Sequence, residues 1–253
     1  MSFDSDGGDS LLTATALAAW PSLVIDRPIT EGARSSVWRG SINGESVAVR
    51  RSNRSEESLD WELALMQDLD AAGFLVPTPI ATSSGSWRSG RWTAQAWISG
   101  RQPTSVEDWR AVADELPRLH RSQVSRAQRP GACSITELAT IRRSVDADLD
   151  RTPPWVVEQC LTHFRAYVGG QRSVVHGDPG PGNIRVTTDG RIGLIDWDES
   201  RTDVPDLDLA NLGTTVLRGA RKRAAEEAAH AWEALNAWNA EPDYARRRLR
   251  ALT

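Results

Sequence analysis

The spacing of apolar positions along this chain changes near Gly100, and the change separates two sets of predicted elements. Before it, alternation marks strands: LVIDRPITEG, SSVWRGS and SVAVRRS within residues 23–51, the last two joined by Asn43-Gly44, a two-residue hairpin turn. Leu59, Leu63, Met66 and Leu69 then form a helical stripe, predicting a helix over Ser55–Ala71 that Gly73 stops. FLVPTPIATSS and RWTAQAWISG predict two further strands. Beyond Gly100, helical patterns dominate around residues 106–121, 135–150, 154–168 and 219–238, and a β-rich island covers 173–197. A short helix is expected around Leu11–Trp20, behind a polar leader over residues 1–10. The expected fold class is α+β. A small antiparallel-sheet lobe with one main helix occupies 11–99, and a larger, mostly helical lobe occupies 100–253.

Composition narrows the function classes. With 253 residues, a quarter of them charged, and a net charge of −4, the chain can bury an ample core and carries no basic excess for nucleic acid. Cys133 and Cys160 stand far apart with no CxxC, as expected in a reducing compartment. MSFDSDGGDS does not read as a signal peptide, and no apolar run approaches a membrane span. The expectation is a cytoplasmic protein, monomer or homodimer, that binds neither nucleic acid nor membrane.

The segment HGDPGPGN, residues 176–183, sets two glycines and two prolines between Asp178 and Asn183. That alternation excludes helix and ladder strand and makes a shaped loop. Downstream, Asp189-Gly190 signals a hairpin turn. If those two residues are the whole loop, Asn183 faces Asp196, with Cβ atoms roughly 4.5–5.5 Å apart. An amide oxygen beside a carboxylate suits Mg²⁺, which takes few protein oxygens and completes its shell with water and phosphate. Glu62 lies within the apolar arc of its helix, where a carboxylate needs a cationic partner.

VVHGDPGPGNIRV, IGLIDWDES and DLDLANLG, in that order and spacing, resemble the aminoglycoside phosphotransferase and choline kinase superfamily, which shares the protein-kinase fold. The resemblance extends upstream through ITEGARSSVWRG, VAVR, WELALMQDL, AQAWISG and LPRLH. It implies a nucleoside-triphosphate- and Mg²⁺-dependent transfer of phosphate to a hydroxyl of a small molecule. Asp178 would be the catalytic base, and Asn183 and Asp196 would hold the metal. Arg50 stands where the family usually has lysine and, paired with Glu62, would meet the phosphates. Gly32, Ser35 and Ser36 would line the phosphate loop, and Gln95, Ala96, Trp97 and Ile98 would receive the purine of ATP or GTP. His176 is implied to brace the loop. Asp198, Glu199 and Asp203, with Asp206 nearby, offer either a cation-attracting acceptor site or ordinary loop charges and caps. Trp232 and Trp238 could wall an acceptor or belong to the core. An antibiotic is the favoured acceptor. A metabolic kinase of choline, sugar or amino-acid-like acceptors, and a nucleotide-binding module without transfer, are the alternatives.

Overall fold

The structure, a computed structural model, describes residues 14, 17–29, 36–167, 170–210, 212 and 216–252. The chain divides into two compact units, Met1–Ser99 and Gly100–Thr253. Residues 1–10, half of the helix expected at 11–20, and the loop positions Gly32 and Ser35 lie outside the described residues.

The first unit is a four-stranded antiparallel sheet in sequential order: β1 (Leu23–Ile29), β2 (Ser36–Ile42), β3 (Glu45–Arg51) and β4 (Trp92–Ala96). Asn43 and Gly44 both take positive φ, 52° and 87°, and set Ile42 opposite Glu45, the geometry that twisted strands need at a tight turn. Trp20, Leu23, Trp38, Val47, Val49, Trp92 and Ala94 form one buried cluster on this sheet. Helix α1 (Glu56–Ala71) starts on Ser55, whose hydroxyl accepts from the Ser58 amide, and buries Leu59, Leu63, Met66 and Leu69. It ends as the sequence indicates, with Gly73 at φ 83° and the Phe74 amide returning to the Leu69 carbonyl. The strand expected over 74–84 does not form as a regular element. Pro77 and Pro79 lack amide donors, so only Ile80 N–H to Ala94 O and Ala96 N–H to Thr78 O join this stretch to β4.

The second unit holds helices α2 (Val106–Ser122), α3 (Ile135–Ile141), α4 (Pro154–Ala166), α5 (Asp206–Ala210), α6 (Gly219–Ala237) and α7 (Pro242–Arg250). Two short antiparallel pairs are set among them: β5 (Ser173–Val175) with β8 (Arg201–Asp203), and β6 (Ile184–Val186) with β7 (Ile192–Leu194). Helix α3 stops well short of the expected residue 150, because Arg142 turns left-handed at φ 56°. Helix α7 is not among the expected elements, although Pro242 at its first turn marks its entry. Trp232 is buried under the guanidinium of Arg201, 3.6 Å from its ring centroid, and so belongs to the core. No described helix is long and apolar enough to cross a membrane.

Candidate active site

The loop between β5 and β6 is stiffened by Pro179 and Pro181, and closes with a single 3₁₀ turn, Pro181–Asn183. Its two polar ends meet directly. The Asn183 amide nitrogen donates to the main-chain oxygen of Asp178 at 3.0 Å and to its carboxylate Oδ2 at 2.8 Å. Only the NH₂ end of an amide can face two acceptors, so the carbonyl oxygen of Asn183 is the end left for a cation. One Asp178 carboxylate oxygen thus orients Asn183, and Oδ1 is the oxygen left for other chemistry.

The register expected for the β6–β7 hairpin is also corrected. Ile184 pairs with Leu194 and Val186 with Ile192, so Asn183 stands opposite Ile195, and the Ile195 amide donates to its carbonyl at 2.9 Å. The loop is three residues, with Thr187 bonded to Arg191 and Gly190 at φ 81°. One step of register changes the face, and Asp196 is instead turned by its own left-handed backbone, φ 59°. It leaves β7 exposed, with the buried Trp197 behind it.

A buried frame holds both segments. His176 is fully buried; its Nε2 donates to the Ile195 carbonyl at 3.0 Å and its ring lies 4.6 Å from that of Trp197. Asp208 accepts the amides of His176 and Gly177 and the Nε2 proton of His120. Burial by itself would raise the Asp208 carboxyl, but the His120 hydrogen bond and the Gly177 amide hold it below the ordinary carboxylate value. Gly177, at φ 93°, presses on the next segment so closely that a Cβ there would lie 2.4 Å from the Glu199 carbonyl oxygen. Asp208 and His120 were visible in the sequence only as parts of DLDLANLG and LPRLH, and the sequence reading gave them no role.

In the first unit, Arg50 and Glu62 form the expected ion pair, Nη2 to Oε1 2.9 Å, with both side chains buried. Ser36 opens β2, opposite Arg51. Gln95 is buried opposite Ala48, and the amides of Ala96 and Trp97 are taken by Thr78 and Ser46. Of the four residues expected to receive the purine, Ile98 is the one whose amide makes none of the sheet's hydrogen bonds.

The acceptor candidates divide. Asp203 is fully buried, accepts from Arg201 and the Ile135 amide, and has its carboxyl raised first by burial. It cannot meet an acceptor, and that expectation is corrected. Asp206 likewise accepts from Tyr167 and Arg221. Asp198 and Glu199 remain, half-buried just past Asp196. Among the described residues, no three His, Cys, Asp or Glu side chains gather as an all-protein metal site. A pair of one amide oxygen and one carboxylate fits Mg²⁺ that keeps phosphate oxygens in its shell.

An antiparallel sheet with one helix, followed by a helical unit with a shaped loop and an embedded hairpin, defines the class of kinase-like phosphotransferases. The chain belongs to the phosphotransferase enzyme family, whose model matches residues 26–250. It is 28% identical over 180 residues to the uncharacterized protein YcbJ of Bacillus subtilis (strain 168), a match over 68% of this chain and 57% of that relative's length. Its fold is similar to that of the choline kinase LicA from Streptococcus pneumoniae, with a TM-score of 0.69 at 15% identity over 98% of both chains. It is also similar to a thermostable mutant of aminoglycoside phosphotransferase APH(4)-Ia in ternary complex with AMP-PNP and hygromycin B, with a TM-score of 0.66 at 16% identity over 98% of both chains.

Proposed function

We propose that this chain transfers the γ-phosphoryl group of ATP or GTP to a hydroxyl of a small molecule, with Mg²⁺, and that the acceptor is an antibiotic. The observation that carries the reading is the Asp178–Asn183 pair, joined at 2.8 Å across a proline-stiffened loop. Phosphoryl transfer asks a protein for position and charge more than for covalent chemistry. Asp178 Oδ1 orients the acceptor hydroxyl and takes its proton as the new oxygen–phosphorus bond forms; the bond to the leaving nucleoside diphosphate breaks. Asn183 and Asp196 hold the metal, which neutralises phosphate charge when bound. Arg50, fixed by Glu62, steadies the phosphates, and the Ile98 amide meets the purine. Asp198 and Glu199 favour a cationic acceptor. The family supports phosphoryl transfer to a small molecule, and the hygromycin-bound neighbour is the reason an antibiotic is put first.

A panel of aminoglycosides, other hydroxylated antibiotics, choline and simple sugars, each tried with ATP and GTP, should yield one product heavier by a phosphate. Asp178→Ala should lower kcat by roughly 10²–10⁴-fold, as for a positioned base. Phosphorylation of choline or a sugar with every antibiotic inert would replace the antibiotic by a metabolic acceptor, and a variant keeping a third of the activity would remove the base.

A further inference from the structure

The segment joining α2 to α3 contains one of the largest fully buried side chains in the described residues, Arg129, 1% exposed. Its backbone is set by an Arg-Pro-Gly-Ala turn: Gly131 has φ 81° and the Ala132 amide donates to the Arg129 carbonyl at 3.1 Å. The Gln128 side chain accepts from the Arg129 amide and also grips Thr202 through its main-chain amide and carbonyl. The guanidinium is thus delivered from a rigid mount. Its Nη1 faces a converging set of main-chain oxygens: Trp197 at 3.0 Å, Asp198 at 2.8 Å and Ser200 at 3.2 Å, with the Ser200 hydroxyl at 3.3 Å.

Those carbonyls belong to the turn that immediately follows Asp196, and the same turn carries Glu199, whose carbonyl abuts Gly177 of the catalytic loop. Asp196 holds a left-handed backbone that a non-glycine residue keeps only when its flanks fix it. On one flank the Ile195 amide is bonded to Asn183 and its carbonyl to His176. On the other flank stands Arg129.

We infer that Arg129 is a positioning residue for the metal site, aiming the Asp196 carboxylate through the main chain of residues 197–200. The inference rests on the reading of Asp196 as a metal ligand. Methionine offers no donor to these main-chain oxygens, and lysine keeps a charged donor in a different geometry. Residues behind metal ligands set affinity and activity by roughly 10–100-fold.

Arg129→Met and Arg129→Lys are compared with wild type and Asp196→Asn by three measurements. These are Mn²⁺ binding to the nucleotide-bound protein followed by electron paramagnetic resonance, the Mg²⁺ half-saturation of turnover, and acceptor KM. Arg129→Met should weaken Mn²⁺ binding and raise the Mg²⁺ requirement by roughly 10–100-fold, with acceptor KM unchanged and Arg129→Lys in between. If Asp196→Asn leaves metal binding intact, the metal reading itself is wrong. If Asp196→Asn weakens it while both folded Arg129 variants match wild type, the inference falls and the metal reading stands. Loss of folded protein in both Arg129 variants, judged by circular dichroism, would equally overturn it, since the residue would then serve the fold and not the site.

Discussion

A buried arginine needs its charge answered, and Arg50 has Glu62 at 2.9 Å with both side chains nearly inaccessible to water. Removing one partner leaves the other ionised and desolvated, a loss on the order of 3–5 kcal/mol. Arg50→Ala and Glu62→Ala should therefore each destabilise the protein strongly and weaken nucleotide binding alike, and the double variant should cost clearly less than their sum. A urea-unfolding double-mutant cycle with no coupling between the two positions would separate them. The need of Glu62 for a cation was legible because a carboxylate inside an apolar stripe demands one, whereas Arg50 as its partner was implied by the family resemblance. Asp208 was not legible in this way. Its partners are the amides of His176 and Gly177, and main-chain hydrogen bonds to a distant loop leave no periodicity to read.

Elements show where sequence pattern decides and where it stops. Asn43-Gly44 fixed its hairpin, because both residues must take positive φ and both readily do. Asp189-Gly190 marked a turn but not its length. The glycine suits a two-residue loop and equally the left-handed last position of a three-residue one, and here the Thr187 hydroxyl accepting from the Arg191 amide at 2.9 Å accompanies the longer form. That single residue moved Asn183 from Asp196 to Ile195. Helix α3 is short, and its start is stabilised by a capping box in which Ser134 and Glu137 satisfy one another's amides. Burial alone would raise the Glu137 carboxyl, but the Ser134 amide and the Arg172 guanidinium outweigh it and lower the value from 4.5 to about 2. A depressed carboxylate stabilises the fold above its unfolded value and loses that contribution as pH falls from 4.5 towards about 2. Glu137→Gln keeps an acceptor for the Ser134 amide but loses the charge facing Arg172, and should cost up to about 1 kcal/mol at neutral pH, as a partly exposed ion pair does. The gap from wild type should narrow as the pH falls to about 3, where the Glu137 carboxylate has lost part of its contribution. Unfolding curves at both pH values decide it; parallel acid limbs in the two proteins would remove Glu137 as the group responsible.

At the scale of the whole molecule, the two units were legible because the apolar period changes from strand-like to helical near Gly100, and each unit buries its own core. A ligand that binds only the native state stabilises it by RT ln(1 + [L]/Kd), about 2.7 kcal/mol at a hundredfold excess over Kd. For a chain of 253 residues that is a rise of roughly 5–10 °C in Tm. The non-hydrolysable triphosphate with Mg²⁺ should produce such a rise, and the triphosphate with a chelator a smaller one. Asp178→Ala should keep part of the metal-dependent shift, since Asp196 is untouched while Asn183 loses the carboxylate that orients it and keeps only the main-chain oxygen of residue 178. Asp196→Ala should lose it, because the only carboxylate assigned to the metal is gone, while Arg50→Ala should reduce the shift with and without metal. A wild-type Tm that responds to the triphosphate but not to Mg²⁺ would leave the phosphate contacts standing and dismiss Asn183 and Asp196 as its metal ligands.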